Sequence, residues 1–111
     1  MESKPTLHVI GTACKPGTEE KFNKWYNEVH IPLALKFKGI TRITRYKQVG
    51  DNKDYPPYLA IYEFESNDAV DAYLKGPEFA AVRENKESTW KDDVYDMKWN
   101  VRYELIKDWK K

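Results

Sequence analysis

An alternating run of residues near the C-terminus is the feature that most constrains the fold. Tyr95, Met97, Trp99, Val101, Tyr103 and Leu105 alternate there with Asp96, Lys98, Asn100, Arg102 and Glu104. A period of two predicts a β-strand with one apolar and one polar face. The apolar face is too large for a lone small sheet to leave in water. We therefore expect a further layer to cover it.

The rest of the chain predicts three more strands and two main helices. The strands are expected at 6–14, 40–49 and 58–64, and the last of these is apolar on both faces, as in a central strand. One helix should follow Thr18 as its N-cap, and a second should run from the Ser66 cap to Gly76. A shorter helix is expected from 78 to about 86.

This element order, βαββαβ, predicts an α+β fold of the ferredoxin-like type. Four antiparallel strands would then carry helices on one face, and the other face would be bare. We expect a single domain over residues 1–111. We also expect two copies to pair through their bare faces as a homodimeric α/β barrel.

Composition excludes several classes of function. The chain has 19 Lys and Arg against 18 Asp and Glu, a net charge of +1, which argues against binding nucleic acid. No apolar run is long enough to span a membrane, and residues 1–5 lack the apolar segment of a signal peptide. Cys14 is the lone cysteine and cannot form an internal disulfide. We expect a cytoplasmic protein.

The segment from Trp25 to Pro32, WYNEVHIP, carries the clearest candidate site. Pro32 cannot donate to the carbonyl of Glu28, so the helix is expected to kink or stop near His30. Two interpretations of His30 follow. It is either a structural residue that hydrogen-bonds the freed carbonyls, or a general acid/base at the mouth of a cleft between helix and sheet.

Aromatic residues and a second histidine are candidates for ligand binding. An aromatic pocket or ordinary core packing would both explain the large rings; they are Trp25, Tyr26, Tyr58, Tyr62 and Phe79. His8 is either packed and paired within its strand or functional, and it would point into the barrel interior if its face were the bare one. Two histidines are too few to predict a metal site.

Together, the element order and several local motifs resemble the EthD-like family of the dimeric α/β-barrel superfamily. The motifs are Trp25-Tyr26, His30-Ile31-Pro32, Gly39, Tyr62-Glu63-Phe64-Glu65 and Gly76-Pro77-Glu78-Phe79. The resemblance implies a small homodimer, either free of cofactors or haem-binding, in a superfamily that includes polyketide cyclases, quinone-forming monooxygenases, isomerases and haem-degrading enzymes. A plant cyclase of the superfamily has a histidine at the position of His8. Its other histidine has no counterpart in 76–83, so the same residue pair is not expected here.

The residues and the resemblance together lead to one functional expectation and two alternatives. We expect an enzyme without a cofactor or metal that binds a small apolar or aromatic, polyketide-like molecule and acts on it by proton transfer, as a cyclase, isomerase or decarboxylase. His30 would be the acid/base and Tyr26 its assistant, while His8, Trp25, Tyr58, Tyr62 and Phe79 would bind substrate. The alternatives are a non-catalytic ligand-binding or stress-associated homodimer and a haem-using monooxygenase.

Overall fold

The structure, a computed structural model, describes residues 4–90 and 99–111 in full and the backbone of 95–98. The expectations for residues 1–3 and for the side chains of Tyr95 and Met97 lie outside the described residues. The elements follow in the order β1 (Thr6–Cys14), α1 (Glu19–Trp25), a π-helical turn (Tyr26–His30), α2 (Ile31–Ala34), β2 (Ile40–Lys47), β3 (Tyr58–Phe64), α3 (Asn67–Lys75), α4 (Pro77–Thr89) and β4 (Tyr95–Glu104).

The four strands form one antiparallel sheet in the order β2-β3-β1-β4, which confirms the ferredoxin-like fold. Strands β1 and β3 are central and match their predicted bounds. Strand β2 ends at Lys47, before the expected position 49, because the chain turns into a loop there. That loop is closed where the N–H of Gln48 donates to the carbonyl of Pro57 at 2.8 Å.

The helices cover one face of the sheet. His8 pairs in register with Tyr62 on one side and Arg102 on the other, so these three share the covered face. The opposite face includes the neighbours of His8 along β1. It exposes large apolar side chains along β4 and its C-terminal end: Trp99, Val101, Tyr103 and Leu105.

Of the kink or stop predicted near His30, the stop is wrong, because the helix continues to Ala34 through an irregular turn. The N–H of Ile31 bonds the carbonyl of Tyr26, five residues back, so the chain takes one wide turn before α2. Pro32 then lies in the first turn of α2, where a missing N–H is tolerated. The expected break is therefore a π-turn.

The two predicted N-caps have different outcomes. Ser66 is confirmed, because its Oγ accepts a hydrogen bond from the N–H of Ala69 at 3.1 Å. Thr18 occupies the N-cap position of α1, as predicted, but its side chain accepts no hydrogen bond from the helix N–H groups. Its hydroxyl donates to the carbonyl of Lys15 at 2.6 Å, in a turn that precedes α1.

Aromatic side chains fill the layer between helices and sheet. Phe22 and Tyr26 are completely buried and meet edge to face, with ring centroids 5.4 Å apart. Phe64 and Tyr73 form a second contact at 5.6 Å. Such pairs add to the burial of apolar area, so this layer is the stable core against which the site is built. Within residues 4–90 and 95–111, none of the helices combines the length and apolarity needed to cross a bilayer.

Candidate active site

A cavity of about 200 Å³ lies between the helix-covered face of the sheet and the helices. Its lining is His8, Ile10, Tyr26, His30, Tyr62, Tyr73, Leu74, Phe79, Val82, Asn100 and Arg102. Both histidines of the chain are thus brought to one space, from the π-turn and from the centre of the sheet. Of the candidate residues, His8, Tyr26, His30, Tyr62 and Phe79 line this cavity, whereas Trp25 and Tyr58 do not.

Three larger depressions lie elsewhere and are more open. One, of about 890 Å³, runs along the bare face of the sheet beside the C-terminal residues from Tyr103 to Trp109. A second, of about 440 Å³, lies against the loop at 48–57, and a third, of about 360 Å³, is lined by Arg45 and Tyr58 among others. None of the three is lined by a histidine among the described residues, so the smaller cavity is the better candidate for acid/base chemistry.

Trp25 and Tyr58 belong to the packing behind the cavity. The Trp25 ring lies 4.7 Å from the His30 ring, and its Nε1 donates to Oδ1 of Asn85 at 2.9 Å. Tyr58 packs against Phe22, and its hydroxyl oxygen accepts from Nδ2 of Asn23 at 3.2 Å. Trp25 therefore contacts the candidate acid/base directly without facing the cavity.

His30 is buried in an environment that disfavours its charged form. Burial first, and then the positive charges of Lys86 and Arg45, lower the pKa of His30 from 6.5 to about 4. The ring lies between Trp25 and Tyr26, the latter at 4.6 Å. Its Nδ1 is enclosed and has no hydrogen-bond partner among the described residues. At neutral pH this side chain is a neutral imidazole with a nitrogen not committed to the protein.

His8 faces the helices and not the bare face, so it points away from any barrel interior. Its Nε2 lies 3.2 Å from Oδ1 of Asn100, an oxygen that can only accept, and therefore donates to it. Burial lowers the pKa of His8, the hydrogen bond to Asn100 raises it, and the charge of Arg102 lowers it. The net direction is downward, which again favours the neutral ring.

Arg45 was not a candidate from the sequence, yet it orders the wall that carries Tyr26. Its guanidinium lies 4.1 Å from the centroid of the Tyr26 ring, within cation–π distance. Its Nη1 also donates to Oδ1 of Asn27 at 2.8 Å, so β2 is tied to the π-turn. The guanidinium thus fixes the position of Tyr26 beside His30.

Asn100 and Arg102 are the other site residues that the sequence reasoning missed. They occupy polar positions of β4 and lie at the open side of the cavity. Nη1 of Arg102 bonds two side chains of α3, Oδ1 of Asp71 at 2.9 Å and Oδ1 of Asn67 at 3.0 Å. The sequence did contain a signal for these two residues. If a second copy covers the apolar face of β4, the polar positions of β4 must face the helices.

The described residues contain no cluster of three or more His, Cys, Asp or Glu side chains that could hold a metal ion. The cavity offers two neutral histidines and the tyrosine hydroxyls of Tyr26, Tyr62 and Tyr73. Burial first, then Tyr26 and Glu78, raise the pKa of Tyr73, so this hydroxyl keeps its proton. The set can accept, donate and relay protons to a small bound molecule.

A four-stranded antiparallel sheet with helices on one face defines a ferredoxin-like domain. An ethyl tert-butyl ether d (EthD) family protein from Bacillus halodurans superposes with a TM-score of 0.68 and 13% identity, over 93% of this chain and 99% of that one. The ferredoxin-like fold that the resemblance implied is therefore confirmed. The chain itself belongs to the family described as Domain of unknown function (DUF4286), which matches residues 6–102.

Two enzymes share this fold at low sequence identity. SnoaB, a cofactor-independent oxygenase from Streptomyces nogalater, matches with a TM-score of 0.68 and 15% identity, over 96% of this chain and 97% of that one. The hydroxynitrile lyase from Passiflora edulis matches with a TM-score of 0.73 and 10% identity, over 96% and 98%. No curated protein matches the sequence significantly. At these identities the similarity establishes the fold alone, in which small-molecule catalysis occurs.

Proposed function

We propose that this protein is a small enzyme that moves a proton on an aromatic or polyketide-like molecule bound in the cavity between sheet and helices. The observation that carries the proposal is the state of His30. This ring is neutral and buried, and its enclosed Nδ1 bonds no described residue of the protein. A nitrogen kept free of internal partners at a cavity wall suits a general base, since it has a lone pair for a substrate proton.

The proposed roles follow from the cavity wall. His30 accepts the proton, and Tyr26, whose ring is 4.6 Å from that of His30, assists by hydrogen-bonding the substrate oxygen. His8, Tyr62 and Phe79 hold the substrate, while Trp25 and Tyr58 support the wall from behind. The cavity is smaller than the roughly 300 Å³ at which sites for drug-sized ligands begin, so a substrate of one or two rings fits best.

A haem group does not fit this cavity. The space of about 200 Å³ is too small for a macrocycle, which is larger than an ordinary drug-sized ligand. We therefore build the proposal on the side chains alone.

We also propose that the protein works in the cytoplasm as a homodimer. The support is the row of exposed apolar side chains on the bare face, in which Trp99 is 39%, Val101 36% and Tyr103 56% exposed. A second copy would remove this surface from water. Gel filtration with light scattering should give a dimer, and Val101→Arg should give a monomer, because it places a charge in the pairing face. A wild-type monomer at micromolar concentration would reject the pairing.

Hydrogen–deuterium exchange tests the catalytic proposal without knowledge of the natural substrate. The probe is 1,3-dihydroxynaphthalene, whose ring C–H positions beside the hydroxyls exchange by reversible proton transfer, followed by proton NMR in D₂O. The wild type should accelerate the exchange. His30→Gln should lower this rate about a hundredfold or more, the scale of a lost general base, and Tyr26→Phe should lower it less.

The control is Tyr46→Phe, a matched change at a side chain that is 54% exposed and lies outside the cavity. It should leave the exchange rate unchanged. Circular dichroism would verify that each variant is folded. If folded His30→Gln exchanges protons as fast as the wild type, the proposed role of His30 is wrong. Binding of the probe without any acceleration would favour a ligand-binding module.

A further inference from the structure

We infer that the cavity selects an anionic substrate, a small aromatic acid whose carboxylate is held at the mouth by Arg102 while its ring lies inside. This inference rests on the proposed function and names the substrate class of the same site. The supporting observation is the distribution of apolar and polar side chains between the inner and outer walls of the cavity. The inner wall is apolar and aromatic, with Tyr62, Phe79 and Val82 buried or half-buried. The outer wall at β4 carries Asn100 and the guanidinium of Arg102, whose side chain is 34% exposed.

The guanidinium of Arg102 is oriented but not fully used. Asp71 and Asn67 both contact Nη1, at 2.9 and 3.0 Å, which anchors the side chain to α3. Its Nη2 and Nε make no hydrogen bond or ion pair with the described residues. A guanidinium presents its donors as a fixed planar fork that matches the two oxygens of a carboxylate. One edge is held by the protein, and the remaining donors are available to a ligand.

The charges around the cavity favour an anion. Arg45 on β2 and Lys86 on α4 act on His30, and Arg102 on β4 acts on His8. The opposing groups are Asp71, which is bonded to Arg102 and half-exposed, and Glu78, which acts on Tyr73 at another part of the wall. Both histidines are neutral at pH 7 and add no charge, so the charge at the wall comes from these other side chains. A negative ligand is attracted to this site, and a cationic ligand is repelled.

The arrangement also orients the substrate for proton transfer. With its carboxylate at Arg102, an aromatic acid directs its ring toward Tyr62 and Phe79 and brings a ring position or a neighbouring hydroxyl toward His8 and His30. Positioning of this kind is what makes an otherwise weak base effective. Arg102 would therefore be a binding and specificity-determining residue, and His30 would remain the group that moves the proton.

The test compares the affinity of salicylate with that of salicylamide, its neutral counterpart of nearly the same shape, by isothermal titration calorimetry. 1-Hydroxy-2-naphthoate and its amide serve as a two-ring pair. The wild type should bind at least one acid about tenfold more tightly than its amide, the scale of a charge-assisted hydrogen bond at a partly exposed site. Arg102→Gln should remove that preference by weakening only the acid, and Arg102→Lys should retain part of it.

Arg42→Gln is the matched control. Arg42 also lies on a strand beside a carboxylate, with Nε 3.8 Å from Oε2 of Glu63, but it faces the opposite side of the sheet. The Arg42→Gln variant should keep the full preference for the acid over the amide. The inference is wrong if acid and amide bind equally, if neither acid binds at millimolar concentration, or if Arg102→Gln and Arg42→Gln behave alike.

The His30→Gln variant separates this inference from the proposed function. It should lose proton exchange but still prefer the acid, since Arg102 is intact. Exchange activity without a preference for the acid would overturn the anion selectivity and leave the catalytic proposal standing. If the wild type prefers the acid but exchanges no protons, the catalytic proposal is overturned and the anion selectivity stands.

Discussion

Replacing His30 with glutamine should change how the stability of the protein depends on pH. The ring is 7% exposed, and its pKa is about 4 in the folded protein against 6.5 in the unfolded chain. The unfolded chain therefore binds the proton first as the pH falls. The stabilisation from keeping this histidine neutral is fully present above pH 6.5 and is lost progressively between about pH 6.5 and 4.

The size of the effect follows from the shift. A pKa difference of about 2.5 between the folded and unfolded states corresponds to about 3 kcal/mol in the free energy of unfolding, from well above pH 6.5 to well below pH 4. Between pH 7.5 and 4.5 the wild type should lose about 2.5 kcal/mol from this residue alone. His30→Gln lacks this titration and should lose correspondingly less. His8 and the carboxylates titrate in both proteins, so their contributions largely cancel in the comparison.

Urea unfolding at several pH values, followed by tryptophan fluorescence, measures the difference directly. The free energy of unfolding of the wild type should fall more steeply toward low pH than that of His30→Gln. Proton NMR of the imidazole signals adds an independent measurement, because the His30 resonance should titrate near pH 4. Parallel stability curves for the two proteins, or a His30 midpoint near 6.5, would refute the reasoning about its burial.

Three further changes test the packing around the site. Ser66→Ala should lower the free energy of unfolding by about 1 kcal/mol, because α3 loses its N-cap. Ser88→Ala removes an exposed hydroxyl and should be nearly neutral when both are measured by urea unfolding. Equal effects of the two changes would contradict the role of the cap. Gly11→Ala should destabilise the protein by about 1–3 kcal/mol, since the Cβ of the new alanine would lie 2.6 Å from Cγ of Pro56. An unchanged melting temperature would show that the loop containing Pro56 moves aside without cost. Phe22→Ala should cost about 3–5 kcal/mol through the cavity it leaves, and a loss under 1 kcal/mol would argue against a tightly packed core.

The regular elements were readable from the sequence because their signals are local. Strands β1 and β3 have their predicted bounds, and Ser66 and Gly76 delimit α3 as expected. An irregularity near His30 was predicted, but its form as a π-turn was not, since a π-turn depends on how the segment packs against its neighbours and not only on Pro32. Sequence alone does not specify that choice.

The candidate site was predictable in part, for a geometric reason. Alternation shows which residues share a face but does not identify the face that carries the helices. His8 was therefore left with two possible directions, and Asn100 and Arg102 were taken only as the polar side of their strand. Arg45 was missed because its contact with Tyr26 joins positions that are distant in the sequence.

The wide turn at Tyr26–His30 makes this helix sensitive to changes in length. Each residue of a regular α-helix advances the chain by about 100° around the axis. Deletion of one residue between Asn27 and Val29 would let this turn return to regular α-helical pitch while α2 kept its packing against the core. Such a deletion would preserve the scaffold and redirect the His30 imidazole.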